Sequence, residues 1–141
     1  MTSGQPINLT YSPAANLQVS TVLNYRPNII GDPMTPESER GPNNFLNNAT
    51  VVIPTDPTSP FGNAGRNIVR SSPLFQADVR LQKSFPLRWE KSRLEFQAEC
   101  FNLLNRTNFR SPNGNRSSSA FGTITSAFPA RIMQFALRFA F

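Results

Sequence analysis

The sequence contains no histidine, and its one cysteine is Cys100. The first absence removes the commonest general base and metal ligand. A lone cysteine excludes an intramolecular disulfide and a cysteine-based metal site. No apolar run approaches the ~20 residues that a membrane helix requires, and mean hydropathy is −0.34. The 13 prolines, with many asparagines, cut the middle of the chain into pieces too short for long helices. Basic blocks are missing too. The net charge is +6 over 141 residues, but the arginines stand singly, without the clustered patch of a nucleic-acid binder. The opening MTSGQPINLTYS has neither a basic n-region nor an apolar h-region and does not read as a signal peptide. A chain of this length forms at most one domain, or part of one.

What the chain does have is alternation. In ARIMQFALRFAF, Met133, Phe135, Leu137, Phe139 and Phe141 share one parity, and Gln134, Ala136, Arg138 and Ala140 the other. A strand sends successive side chains to opposite faces, whereas a helix would scatter Arg138 among the phenylalanines. The stretch SPLFQADVRLQKSF sets Phe75, Ala77, Val79 and Leu81 against Gln76, Asp78, Arg80 and Gln82. RLEFQAECFNLL repeats the rule, with Leu94, Phe96, Ala98 and Cys100 against Arg93, Glu95, Gln97 and Glu99. The polar connector PLRWEKS between these two segments predicts an antiparallel hairpin. Strands are predicted over about 5–11, 16–24, 74–85, 92–103 and 131–141. Long polar loops rich in Pro, Gly, Asn and Ser fill about 26–73 and 104–130, with ATVVI (49–53) as a short strand inside the first.

The fold class is therefore all-β and antiparallel, and two settings suit it. In a soluble sheet the apolar face is the core and the charged face meets water. In a transmembrane barrel the apolar face meets lipid and the polar face lines the lumen. Segments of about ten residues, connectors alternating between short and long, and an aromatic end to the last strand favour the barrel. On that reading lipid meets Phe75, Val79, Leu81, Leu94, Phe96, Met133, Phe135, Leu137 and Phe139. The lumen-facing row is Asp78, Arg80, Arg93, Glu95, Glu99 and Arg138. Too few strands are present to close a barrel, and an open edge in lipid leaves backbone groups unpaired. The expectation is the C-terminal part of a larger barrel, joined by its remaining strands.

The stretches RPNIIGDP, FGNAGRN, FQADVRLQKSF, RLEFQAECFNLLNRTNF and FGTITSAFPARIMQFALRFAF, in this order and spacing, resemble the end of Oar-like TonB-dependent outer-membrane transporters. The resemblance covers nearly the whole chain, least clearly Met1–Ser20. It implies a barrel of about 22 strands, a plug domain in the lumen, and energy from the TonB system. It also implies that the barrel-assembly machinery reads the terminal aromatics, here Phe141 with Phe139. A plug, a TonB box and a signal peptide are not found in these residues, so the resemblance implies a barrel fragment that does not transport alone.

The remaining candidate sites weigh less. Glu95 and Glu99, as i and i+4 of a strand, lie ~13 Å apart, too far for the paired carboxylates of a glycosidase. Cys100 lacks any histidine to activate it and reads as a small apolar residue. GNAGRN (62–67) lacks the following helix of a phosphate loop and reads as a turn. Trp89, flanked by Arg88 and Lys91, reads as an interface anchor beside the short connector. No catalytic constellation, cofactor site or metal site is expected. The alternative function is a soluble all-β module that binds polyanions.

Overall fold

The computed structural model describes residues 2–13, 25–56, 58–88 and 92–141. The predicted strand at 16–24 and the Trp89–Lys91 part of the connector lie outside them. The described residues contain seven strands and no helix: β1 (Pro6–Ile7), β2 (Asn28–Ile29), β3 (Val51–Val52), β4 (Val69–Arg70), β5 (Val79–Pro86), β6 (Arg93–Phe101) and β7 (Ile132–Ala140). They fall into two compact units.

One unit comprises Leu74–Asn108 and Phe128–Phe141. Its centre is an antiparallel sheet in the order β5-β6-β7. Val79 pairs with Cys100 and Pro86 with Arg93; Arg93 in turn pairs with Ala140 and Phe101 with Ile132. The hairpin β5–β6 closes through the Leu87 amide, which donates to the Ser92 carbonyl at 2.9 Å. The β6 and β7 limits agree with the predicted strands within two residues.

At β5 the prediction needs correction, because the ladder starts at Val79 and not near residue 74. Side chains take over the pairing there. The Asn108 carboxamide accepts from the Phe75 amide (3.0 Å) and donates to the Phe75 carbonyl (2.9 Å), in place of a neighbouring strand. One Asp78 carboxylate oxygen accepts from the Asn102 amide at 2.9 Å. Asn102 has a φ of 52°, the left-handed region that asparagine tolerates, so the chain turns out of β6 at that point. Phe75 and Asp78 therefore stand outside the ladder to which the alternation assigned them.

The other unit comprises Thr2–Pro73 and Phe109–Ala127. The expected long loops supply most of it, and they fold around a core of their own. Ile7, Leu9, Phe45, Leu46, Val51, Val69, Phe121 and Ile124 are buried together. The predicted strand at 5–11 shortens to β1, which pairs with β4, while β2 pairs with β3. Its alternation survives as burial: Ile7, Leu9 and Tyr11 point inward, and Asn8 stays exposed. The chain leaves the ladder at Asn8 because its side-chain oxygen accepts the Asn67 amide at 2.9 Å. Arginines brace the unit from within. Arg116 donates to the Val51 carbonyl at 2.7 Å, and Arg40 donates twice to the Thr35 carbonyl. Scattered positive charge thus serves local carbonyls, as five fixed donors per guanidinium allow.

Candidate functional site

The register of β5-β6-β7 sorts the alternating residues into two faces. Four apolar rows run across the sheet: Val79–Cys100–Met133, Leu81–Ala98–Phe135, Lys83–Phe96–Leu137 and Phe85–Leu94–Phe139. The residues expected on this face from β5, β6 and β7 fall together on it, apart from Phe75. Nothing covers it. Phe135 is 70% exposed, Leu137 68% and Leu81 66%. The rings of Phe96 and Phe135 stack across the strands at 6.4 Å, and those of Phe139 and Phe141 meet at 5.7 Å. An uncovered apolar face of this extent marks an interaction surface.

The opposite face is polar. Arg80 pairs across the hairpin with Glu99 at 3.4 Å and donates to Gln97 at 3.0 Å, while Gln97 donates to Glu99 at 2.9 Å. Arg93 pairs with Glu95, two residues along the same strand, at 2.8 Å. Arg138 stands opposite Glu95 in the register, but the Glu95 carboxylate is taken by Arg93. No ion pair to Arg138 is present among the described residues. Ion pairs this exposed contribute roughly 0–1 kcal/mol each, so the network shapes a hydrophilic surface more than it stabilises the sheet.

Asp78 belongs to the rim of this sheet. Its carboxyl is held below the usual carboxylate range by the Asn102 amide first, and by the Gln76 side chain second. Asn102 and Asn108, which sequence reasoning passed over, are the buried polar residues that organise this rim. The Asn102 side chain donates to the carbonyls of Arg106 (3.0 Å) and Pro129 (3.4 Å) and accepts from the Arg106 amide. An asparagine directly after an alternating strand is a signal for such a turn. The Arg106 guanidinium lies 5.5 Å over the Phe75 ring, which gives Phe75 a local partner.

The other candidate sites resolve into structure. In GNAGRN the amides of Gly62, Asn63, Ala64 and Asn67 are donated to Arg26, Asn28, Pro27 and Asn8. None of these four is left for a phosphate. A side chain at Gly62 would meet the Pro27 carbonyl at 2.3 Å, so close backbone approach explains this glycine. Cys100 is a free, half-buried thiol on the apolar face. In the second unit a pocket of about 130 Å³ is bordered by Arg40, Phe45, Phe109 and Ile124, below the volume of a drug-sized ligand site. Among the described residues no group of His, Cys, Asp and Glu could hold a metal ion.

Among the described residues the sheet has three antiparallel strands, one apolar face and one polar face, the arrangement that a segment of barrel wall requires. Comparison with known families agrees: the model of the outer membrane beta barrel domain matches residues 1–134. The chain belongs to that family, and it is an all-β protein of the outer membrane. No curated protein matches it. No solved structure matches it either.

Proposed function

We propose that the chain is the C-terminal portion of the barrel of a TonB-dependent outer-membrane transporter of the Oar-like kind. Its apolar face contacts lipid, and its polar face looks into the lumen toward a plug domain. Its role is structural within a transport channel and not catalytic. The observation that carries this reading is the uncovered apolar face, from Leu81 to Phe139, back to back with the Arg80–Gln97–Glu99 network. The resemblance of the five sequence stretches supports the TonB-dependent assignment. The outer edges of β5 and β7 suit further strands of a longer barrel.

Two measurements test the proposal. Reading the DNA upstream of the first codon should find the same frame open, with further alternating strands and a plug. A stop codon directly upstream would sink the transporter assignment. Circular dichroism should show sheet signal in detergent and aggregation in plain buffer. A sharp two-state melt in plain buffer would sink the lipid assignment and favour the soluble module.

A further inference from the structure

The long connection between β6 and β7 leaves and re-enters the sheet at one rim, and two arginines stand there. Asn102 follows β6, five residues from its midpoint at Gln97. Arg131 precedes β7, five residues from its midpoint at Ala136. Gln97 and Ala136 are register partners, so Asn102 and Arg131 are level. Five residues are ~16 Å along a strand, or roughly 13 Å along the bilayer normal at a tilt of ~40°, which is the edge of an apolar band ~25 Å tall. Asn102 fixes Arg106 at the same level, because its carboxamide nitrogen donates to the carbonyls of both Arg106 (3.0 Å) and Pro129 (3.4 Å). The Asn105 side chain accepts from the Arg131 amide at 3.1 Å. The two arginine-bearing segments are therefore neighbours, and both arginines are exposed. Arg131 keeps the parity of Met133 and Phe135, the apolar side of β7. The Arg106 guanidinium lies 5.5 Å over the Phe75 ring, a contact that gives its five N–H donors no acceptor oxygen. Among the described residues neither guanidinium donates a hydrogen bond or joins an ion pair. The rim carboxylate, Asp78, accepts from the Asn102 amide and the Gln76 side chain instead.

We propose that Arg106 and Arg131 together hold the phosphate of a lipid headgroup in the leaflet on the side of this connection. Both stand at the depth where a guanidinium keeps water and meets headgroup phosphate. A phosphodiester has two free oxygens, enough for one guanidinium fork. A phosphomonoester has three, with up to two charges, and is the class that matches a pair of arginines. Asn102 and Asn105 are positioning residues, since they set the spacing of the two backbones. This inference rests on the lipid-facing reading of the apolar face.

The test uses the whole chain in phosphatidylcholine nanodiscs, with a fluorophore on the natural Cys100, whose row Val79–Cys100–Met133 holds no cation. Quenching is compared among phosphatidate, phosphatidylglycerol and phosphatidylcholine, each carrying an acyl-chain nitroxide. Phosphatidate should be favoured over phosphatidylcholine near the label, about fivefold for each arginine, and should also exceed phosphatidylglycerol. Arg106→Gln and Arg131→Gln should each reduce the preference about fivefold while keeping the sheet signal in circular dichroism. Arg110→Gln, in the second unit, should leave it unchanged. A preference that survives both rim changes, or falls equally with Arg110→Gln, overturns the site. Parity between phosphatidate and phosphatidylglycerol overturns the phosphomonoester. Abolition of the preference by inorganic phosphate at the concentration of the phosphatidate overturns the lipid source. Failure of the lipid-facing reading looks different: none of the three lipids would quench the label on Cys100.

Discussion

Exchanging Phe135 for arginine should be far more costly in a membrane than the same change one residue later. β7 has nine residues, Ile132–Ala140. At ~3.3 Å per residue and a tilt of ~40° it spans roughly 23 Å of bilayer, close to the ~25 Å apolar band of outer-membrane barrels. Ala136 is the midpoint, so Phe135 lies within ~3 Å of the midplane. Arginine on the lipid face at that depth costs ~2–4 kcal/mol. Losing the stack with Phe96 adds ~0.5–1.5 kcal/mol. The expected total for Phe135→Arg is about 3–5 kcal/mol. Ala136 points to the other face, opposite Gln97, and Ala136→Arg should stay within about 1 kcal/mol. Denaturant unfolding in lipid vesicles, followed by sheet signal in circular dichroism, measures both. In plain buffer Phe135→Arg should instead lower turbidity, because it removes an exposed ring. Equal costs for the two variants in vesicles would refute the two-faced account.

Three further predictions concern the rim and the second unit. The Tyr11 hydroxyl donates to the Pro60 carbonyl, and burial first, with Tyr25 second, raises its pKa above the ordinary 10.0. Stability from this group is complete below the unfolded pKa and is lost as pH rises through the higher folded value. An absorbance titration of tyrosinate should therefore show coupled unfolding above pH ~10, and Tyr11→Phe should remove that coupling; an unshifted titration would contradict the burial argument. Asp78 has the opposite sign, since its folded pKa is lowered. Amide protection of Asn102 should hold above the ordinary aspartate value of ~3.9 and fade as pH falls through the lower folded one. Protection that ignores acid, or survives Asp78→Ala, would show that the carboxylate is not the anchor. Gly122 has a φ of 74°, and an added side chain would meet the Leu46 carbonyl at 2.9 Å; Gly122→Ala should destabilise the second unit by about 1–3 kcal/mol in a denaturant titration, and a neutral result would contradict this packing.

The sheet was legible in sequence because alternation fixes a face before any partner is known. Val79, Leu94 and Phe139 differ in strand and in chain position, yet parity alone assigns them one side. The start of β5 was not legible. Asp78 continues the alternation perfectly, and only the Asn102 amide, 24 residues later, shows that its carboxylate closes a turn. The second unit was hidden for another reason. Phe45, Val51, Val69 and Phe121 sit among Pro, Gly and Asn with no common period, so their shared core depends on long-range pairings such as β1 with β4. Ion pairing was legible only in composition. The row of charges could be read from alternation but its partners could not: Arg80 pairs with Glu99 across the hairpin, whereas Arg93 takes Glu95 along its own strand and leaves Arg138 without it.

The most direct measurement uses the natural Cys100. Three residues from the β6 midpoint at Gln97, it lies ~8 Å from the bilayer centre along the normal at a tilt of ~40°, still inside the apolar band. A fluorophore on Cys100 in nanodiscs should be quenched by acyl-chain nitroxides and shielded from aqueous iodide. A fluorophore on Gln97→Cys in a Cys100→Ala background should respond the other way round. That pattern is what a lipid face and a lumen face require. Iodide quenching at Cys100, with no response to lipid nitroxides, would show that the apolar face does not meet the membrane.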